Sequence, residues 1–396
     1  MNWFFLAVMA SLGTSQAGTE GETYSKHGGT SLALYAKYVL KGNYIVGSCG
    51  LRFNGGQCTI NLSGLPASPD IVKAYLIYSV IAATEQPQGN LNGTPVNGVL
   101  RGTGPTPCWF GYPDIYTYVA DVTNIVRATG NGTYNLTGFY DPGGSPYSPA
   151  GADGASLVVI FCDNGSVIRT IVIYLGAYTL DASDDPSTYN WNLANFTATN
   201  PVTSARTTLI FADGQDYFWE SYWGKPTGLE YVYFNGNLIR SGQYGLPGGD
   251  GNLWDAVHIS NAASYIPGGA SSVSGQLTTE RDASNARDCI TAVAHILSVS
   301  SVEAETYYCG PVSSEEEFAG DEFSLRAAGN RVLLSLPFPV SGNMRLYSSD
   351  GRLVRVLADG KLTSGEVEIP PLEPGVYFLK LRTEIGAAEA KVIASD

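Results

Sequence analysis

Ala155-Ser-Leu-Val-Val-Ile-Phe161, Asp163-Asn-Gly-Ser166 and Val167-Ile-Arg-Thr-Ile-Val-Ile-Tyr174 stand almost end to end near the middle of the chain. The first and third segments are rich in β-branched and aromatic residues, which favour strands, and the short polar segment between them has turn chemistry. Together they predict two antiparallel strands joined as a hairpin, with glycine where a positive φ is needed.

The same alternation of strand and turn runs outward in both directions. Asn97-Gly98 and Asn235-Gly236 are further turn signals, and helical periodicity is confined to Asp121-Val-Thr-Asn-Ile-Val-Arg127, enough for two turns. Three features recur in the same order. Lys73-Ala-Tyr-Leu-Ile-Tyr78 is matched by Arg206-Thr-Thr-Leu-Ile-Phe211, and Val96-Asn-Gly-Val-Leu-Arg-Gly102 by Phe234-Asn-Gly-Asn-Leu-Ile-Arg-Ser-Gly242. Residues 133–139 followed by 155–161 are matched by 272–279 followed by 289–297. These matches predict two related modules in succession, each an antiparallel, jelly-roll-like β-sandwich, in an all-β chain.

Composition agrees with that class. Of 396 residues, 44% are hydrophobic and only 15% charged, so the chain is neither disordered nor a coiled coil, and its length suits two or three domains. Residues 1–323 carry 13 basic and 28 acidic side chains, whereas the last 73 residues carry 9 and 8 and no cysteine. A different kind of domain is expected there, behind a segment that combines Gly, Pro, Ser and three consecutive Glu. The expected division is a signal peptide over 1–17, β-sandwich modules over 18–185 and 186–308, a linker over 309–323, and a small immunoglobulin-like sandwich over 324–396. The net charge of −14, with no basic run longer than a pair, argues against nucleic-acid binding and against an anionic membrane surface.

The first seventeen residues combine a short apolar run from Trp3 to Leu12 with Ser15-Gln16-Ala17, the pattern of a cleaved secretory signal. No later segment has the roughly 20 apolar residues of a membrane helix. Six cysteines, Cys49, Cys58, Cys108, Cys162, Cys289 and Cys309, are an even count that suits disulfides in an exported chain. Cys49 with Cys58 is the favoured pair, because Phe53-Asn-Gly-Gly56 between them can fold back as a tight turn.

The tail contains Met344-Arg-Leu-Tyr-Ser-Ser-Asp-Gly-Arg-Leu-Val354, Leu372-Glu-Pro-Gly-Val-Tyr-Phe378 and Lys391-Val-Ile393. In these motifs it resembles the C-terminal sorting domain of type IX secretion substrates, although only Pro337-Phe-Pro339 stands near the place of the usual entry motif. The resemblance implies an outer-membrane secretion machinery as partner, and release or attachment at the surface of a Gram-negative cell. The body, in Ala120-Asp-Val-Thr-Asn-Ile-Val126, Gly132-Thr-Tyr-Asn-Leu-Thr-Gly138, Gly154-Ala-Ser-Leu-Val-Val-Ile160, Asp250-Gly-Asn-Leu-Trp-Asp-Ala-Val257 and Asp288-Cys-Ile-Thr-Ala-Val-Ala294, is similar to an uncharacterised family of extracellular β-sandwich surface modules. That likeness implies a surface role and no reaction.

No catalytic constellation is legible. Of three histidines, His27 is in a Gly-rich stretch and His258 and His295 sit in apolar strand patterns; G-x-S-x-G, HExxH and CxxC are all absent. Acidic loops hold Asp181, Asp184 and Asp185, then Asp213 and Asp216, then Asp250, Asn252 and Asp255. Solvated loop acids, structural Ca²⁺ ligands and a glycosidase carboxylate pair are the three readings, in that order. No other cofactor is expected. Asp216-Tyr-Phe-Trp-Glu-Ser-Tyr-Trp223 is the densest aromatic stretch, and Tyr217, Trp219, Tyr222 and Trp223 are either packing residues or a sugar platform, with Trp219 expected buried and Trp223 partly exposed. The expected function is a secreted or cell-surface structural or adhesive protein without catalysis, whose partners are surface glycans or other surface proteins. The alternative is a carbohydrate-binding protein, and after it a secreted glycosidase or peptidase.

Overall fold

The computed structural model describes residues 28–67, 69–105, 114–143, 150–163, 165, 167–181, 186–214, 228–251, 253–283, 289–307, 309, 324–328, 331–336, 340–348, 352–369, 372, 375–383 and 386–394. They form antiparallel sheets with one short helix, Thr123–Thr129, and one 3₁₀ turn, so the chain is all-β as its strand and turn pattern predicts.

Four sheets build the body as four stacked layers. The first inner sheet has the order Gly42–Gly50, Gly151–Cys162, Asp70–Ala82, Asp114–Asp121, Val99–Pro105. The second inner sheet has the order Gly28–Leu40, Arg169–Asp181, Cys289–Ser300, Ala205–Ala212, Trp254–Ile259. A first outer sheet (Cys58–Leu62, Gly132–Thr137, Gln88–Leu91, Thr94–Asn97) covers the first inner sheet through a core that includes Tyr78, Tyr118, Tyr134, Leu136 and Leu157. A second outer sheet (Ser187–Leu193, Val273–Glu280, Leu229–Phe234, Asn237–Gly242) covers the second inner sheet around Trp191, Phe211, Phe234 and Leu297. The inner sheets then pack on each other through Tyr44, Ile77, Ile160, Ile173, Trp254 and Ile296.

This stack explains the opening sequence and corrects one expectation. Gly151–Cys162 and Cys289–Ser300 are buried at every position, as a strand with a packed layer on each face must be. Residues 155–161 and 169–174 do fall in strands, with Val167 and Ile168 still in the connection, yet the two segments are not a hairpin. Gly151–Cys162 pairs with Gly42–Gly50 and Asp70–Ala82, and Arg169–Asp181 pairs with Gly28–Leu40 and Cys289–Ser300. The turn at Asp163, whose Oδ1 accepts from Gly165 N at 2.9 Å, carries the chain from one inner sheet to the other.

The repeat is real in topology. Nine strands run from Gly42 to Cys162 and eight from Arg169 to Ser300; leaving out Val99–Pro105, an extra edge strand of the first inner sheet, the two sets follow in the same order and take matching places in their sheets. The sheets therefore cut across a division at residue 185. Arg169–Asp181, counted with the first module in sequence, opens the second, and Gly28–Leu40 joins the second inner sheet at its edge. One match is out of register. The turn equivalent to Asn235-Gly236 is Asn92-Gly93, not Asn97-Gly98: φ is 47° at Asn235 and 50° at Asn92, and 76° at both Gly236 and Gly93. Asn92 N donates to Asn135 O at 2.9 Å and Asn235 N to Ser274 O at 2.7 Å, while Asn135 N and Ser274 N donate back to the side-chain oxygens at 2.8 and 3.4 Å.

Two disulfides are present between described residues, Cys49–Cys58, the favoured pair, and Cys162–Cys309. Cys289 is disulfide-bonded as well, and Cys108 lies outside the described residues. Cys162–Cys309 ties the end of the body to the first inner sheet, after Thr306 N and Tyr307 N have bonded to Val39 O at 2.7 and 3.1 Å in the second. The tail has its own core, Leu334, Leu336, Val340, Met344, Leu346, Leu362, Leu379 and Leu381, within sheets of three and four strands.

Candidate functional site

The aromatic candidates Tyr217, Trp219, Tyr222 and Trp223 lie outside the described residues, as do His27, Asp184, Asp185, Asp216 and Asn252. Asp213, Asp250 and Asp255 are described, and the fold uses them to hold backbone. Asp255 is buried at the start of Trp254–Ile259 and accepts from Gly248 N at 2.8 Å and Gly249 N at 2.9 Å. Asp250 Oδ2 accepts from Ala256 N at 2.6 Å, and Glu230, which the sequence did not single out, accepts from Leu246 N at 2.7 Å. Asp213 and Leu253 both have positive φ and are joined by Asp213 N to Leu253 O at 2.8 Å. These acids fix a Gly-rich turn whose Asp250 O accepts from Gly50 N at 2.9 Å, bridging the two sandwiches. Burial pushes the Asp255 carboxyl up to about 6 against the lowering effect of the Gly249 and Gly248 amides. Among the described residues no three His, Cys, Asp or Glu side chains converge as metal ligands.

His295 is a core residue. Trp191 Nε1 donates to its Nδ1 at 2.8 Å, which leaves Nε2 as the donor to Thr207 Oγ1 at 2.7 Å, and Thr207 Oγ1 donates in turn to Ile296 O at 2.8 Å. Full burial lowers its pKa to about 3, so the ring is neutral. His258 sits on the exposed side of its strand with Nδ1 at 3.1 Å from Thr208 Oγ1. Among the described residues neither has beside it the strained, accessible nucleophile that a triad needs.

A cavity of about 140 Å³ opens where the first inner sheet ends, lined by Leu51, Arg52, Phe53, Gly56, Tyr140 and Asp141 among others. Arg52, in its lining, is held in a buried ion pair with Asp153. Asp153 is the extra residue of a β-bulge between Ala152 and Gly154, and its carbonyl accepts from Leu51 N and Arg52 N at 2.9 and 3.1 Å. Burial pushes the Asp153 carboxyl up and the Arg52 guanidinium draws it back down. The Arg52 guanidinium also lies 5.3 Å from the Phe53 ring centroid, and Phe53 takes a φ of 58° to present that ring. Tyr140 O accepts from Ala152 N at 2.8 Å, fixing the opposite wall. The sequence showed the turn 53–56 but not this cavity, because Asp153 and Arg52 are 101 positions apart. The only local signal was a charged residue inside an otherwise apolar strand.

No protein-family model and no curated protein matches the chain. Solved structures that match include a β-glucuronidase of Lactobacillus rhamnosus, 12% identical over 53% of this chain and 35% of that one with a TM-score of 0.16. The β-glucuronidase of Ruminococcus gnavus is 11% identical over 54% and 36% with a TM-score of 0.17, and that of Faecalibacterium prausnitzii 11% over 53% and 37% with 0.17. This chain spans little more than a third of those enzymes' length, and likeness at these scores supports no statement about activity.

Proposed function

We propose that this protein works outside the cytoplasm as a structural or adhesive component of the cell surface, without catalysis, and that residues 324–396 are its export address. The observation that supports this reading best is covalent: Cys49–Cys58 and Cys162–Cys309 staple a body that already has three packed interlayer cores. Disulfides persist in oxidising, extracytoplasmic compartments. Among the described residues no helix is long and apolar enough to cross a membrane. Asp250, Asp255 and Glu230 accept from backbone amides and His295 bonds to Trp191 and Thr207, as a rigid scaffold requires. The tail, with its separate core, suits a detachable signal better than a structural part of the body.

The test is protease accessibility on intact cells, together with attachment of cells with and without the chain to glycan-coated and protein-coated surfaces. Digestion of the chain on intact cells, and loss of attachment in its absence, are expected. A chain protected until the envelope is broken, or attachment that does not depend on it, would overturn the reading.

A further inference from the structure

Among the described residues, the buried Arg52–Asp153 pair beside the cavity has no counterpart in the second half of the repeat. Leu157 and His295 hold the same place in the two halves, since they pair with Leu76 and Leu209; the second strand has its bulge earlier, at Val293, so Thr291, opposite Ala212, stands where the first half has Gly154, opposite Ser79, and Ile290 where it has Asp153. The second half thus lacks the carboxylate that holds Arg52. A feature that interrupts a repeat at the cost of burying a charge pair asks for a reason beyond stability, because such pairs seldom stabilise more than apolar packing would.

We propose that this cavity is a binding site for one neutral sugar ring, which names the ligand class of the adhesive reading and rests on it. The lining supplies what a pyranose presents to a protein. Phe53 and Tyr140 offer aromatic surface for C–H faces, Asp141 accepts hydroxyl protons, and backbone beside Gly55 can be approached closely. Charge selects against anionic ligands: an anion meets Asp141 and gains little from a guanidinium already neutralised by Asp153. About 140 Å³ suits a single ring, not an extended chain. The site is also preorganised: Cys49–Cys58 brackets the loop that carries Arg52 and Phe53, Asn54 Nδ2 donates to Gln57 O at 2.5 Å, and Phe139 N donates to Gly56 O at 3.2 Å. Less ordering is left to be done on binding.

The experiment is ligand-observed NMR titration of the full chain with glucose, galactose, mannose and N-acetylglucosamine, and with glucuronate and glucosamine as charged counterparts. Saturable binding of at least one neutral sugar near 1 mM is expected, about the affinity one ring can reach. Tyr140→Ala and Asp141→Asn should each weaken it tenfold or more. Asp141 is exposed, so its substitution tests binding without threatening the fold. Absence of binding by every neutral sugar, tighter binding of a charged counterpart, or binding indifferent to both substitutions would overturn the proposal. The attachment assay is read on cells lacking the chain altogether, so a failed titration beside a positive attachment result sinks the cavity and leaves the adhesive reading standing.

Discussion

His295 and Asp255 are buried groups whose ionisation opposes each other across the acid range. The histidine's folded pKa lies near 3, below its ordinary 6.5. Its contribution is therefore complete above pH 6.5 and lost as the pH falls toward 3, because the unfolded chain takes up a proton that the folded chain refuses. The aspartate's folded pKa is raised from 3.8 to about 6, so its contribution is complete below 3.8 and lost as the pH rises through 6. Between pH 7 and 4 each is worth roughly 3 kcal/mol, with opposite sign. Urea unfolding at pH 4, 5, 6 and 7 should accordingly show Asp255→Asn losing stability steeply on acidification and His295→Leu, which installs the residue found at 157, gaining relative to its own value at pH 7. Parallel profiles for the two variants would contradict these assignments. At neutral pH His295→Leu should itself cost about 1 to 3 kcal/mol, since Trp191 Nε1 and Thr207 Oγ1 lose their partner.

At the scale of elements, the duplicated hairpins offer an internal control. Gly93 and Gly236 have the same φ of 76° and open space where a Cβ would stand. Replacing either by Ala is a matter of backbone strain alone, about 1 kcal/mol, and the two costs should agree within about 0.5 kcal/mol in chemical denaturation. Gly154 is a different case. A Cβ there would fall 2.4 Å from Trp254 Cγ, in the seam where Trp254 Nε1 donates to Ser156 Oγ at 3.0 Å. Gly154→Ala must push the inner sheets apart, and a loss of about 1 to 3 kcal/mol is expected in the same measurement. A cost no larger than that at Gly93 would mean that the seam is looser than these distances.

For the molecule as a whole, the two disulfides between described residues should differ in weight. Cys49–Cys58 spans 9 positions and Cys162–Cys309 spans 147. The chain-entropy model gives roughly 2 to 3 kcal/mol for the first and about 5 for the second. Thermal melts of Cys49→Ser/Cys58→Ser and Cys162→Ser/Cys309→Ser should show the larger drop in the latter; the reverse order would place the native-state strain, or residual unfolded structure, in the longer loop. Removal of residues 324–396 should leave the cooperative transition of the body unchanged and the protein retained inside the envelope. Normal surface levels of the truncated chain would refute the export assignment, and loss of the body's transition would refute the domain boundary.

Local sequence determined what local energetics control. Strand propensity set residues 155–161 and 169–174 in strands, the short helix at Thr123–Thr129 followed its apolar spacing, and Cys49 found Cys58 because a Gly-containing turn lies between them. The repeat was legible through Lys73–Tyr78 and Arg206–Phe211, whose strands do hold equivalent places. Tertiary structure alone decided which strands are neighbours. Two apolar runs joined by a polar turn are compatible with a hairpin, but a strand apolar on both faces needs a layer on each side, and four layers are satisfied only when the chain crosses between the inner sheets at Asp163. Likewise Asn92-Gly93 and Asn97-Gly98 read alike as letters, and only the bonds from Asn92 to Asn135 tell which is the repeated turn. Arg52 and Asp153 were invisible as a pair for the same reason: ion pairing acts through space, and their 101 positions of separation are closed by a bulge that no run of residues announces.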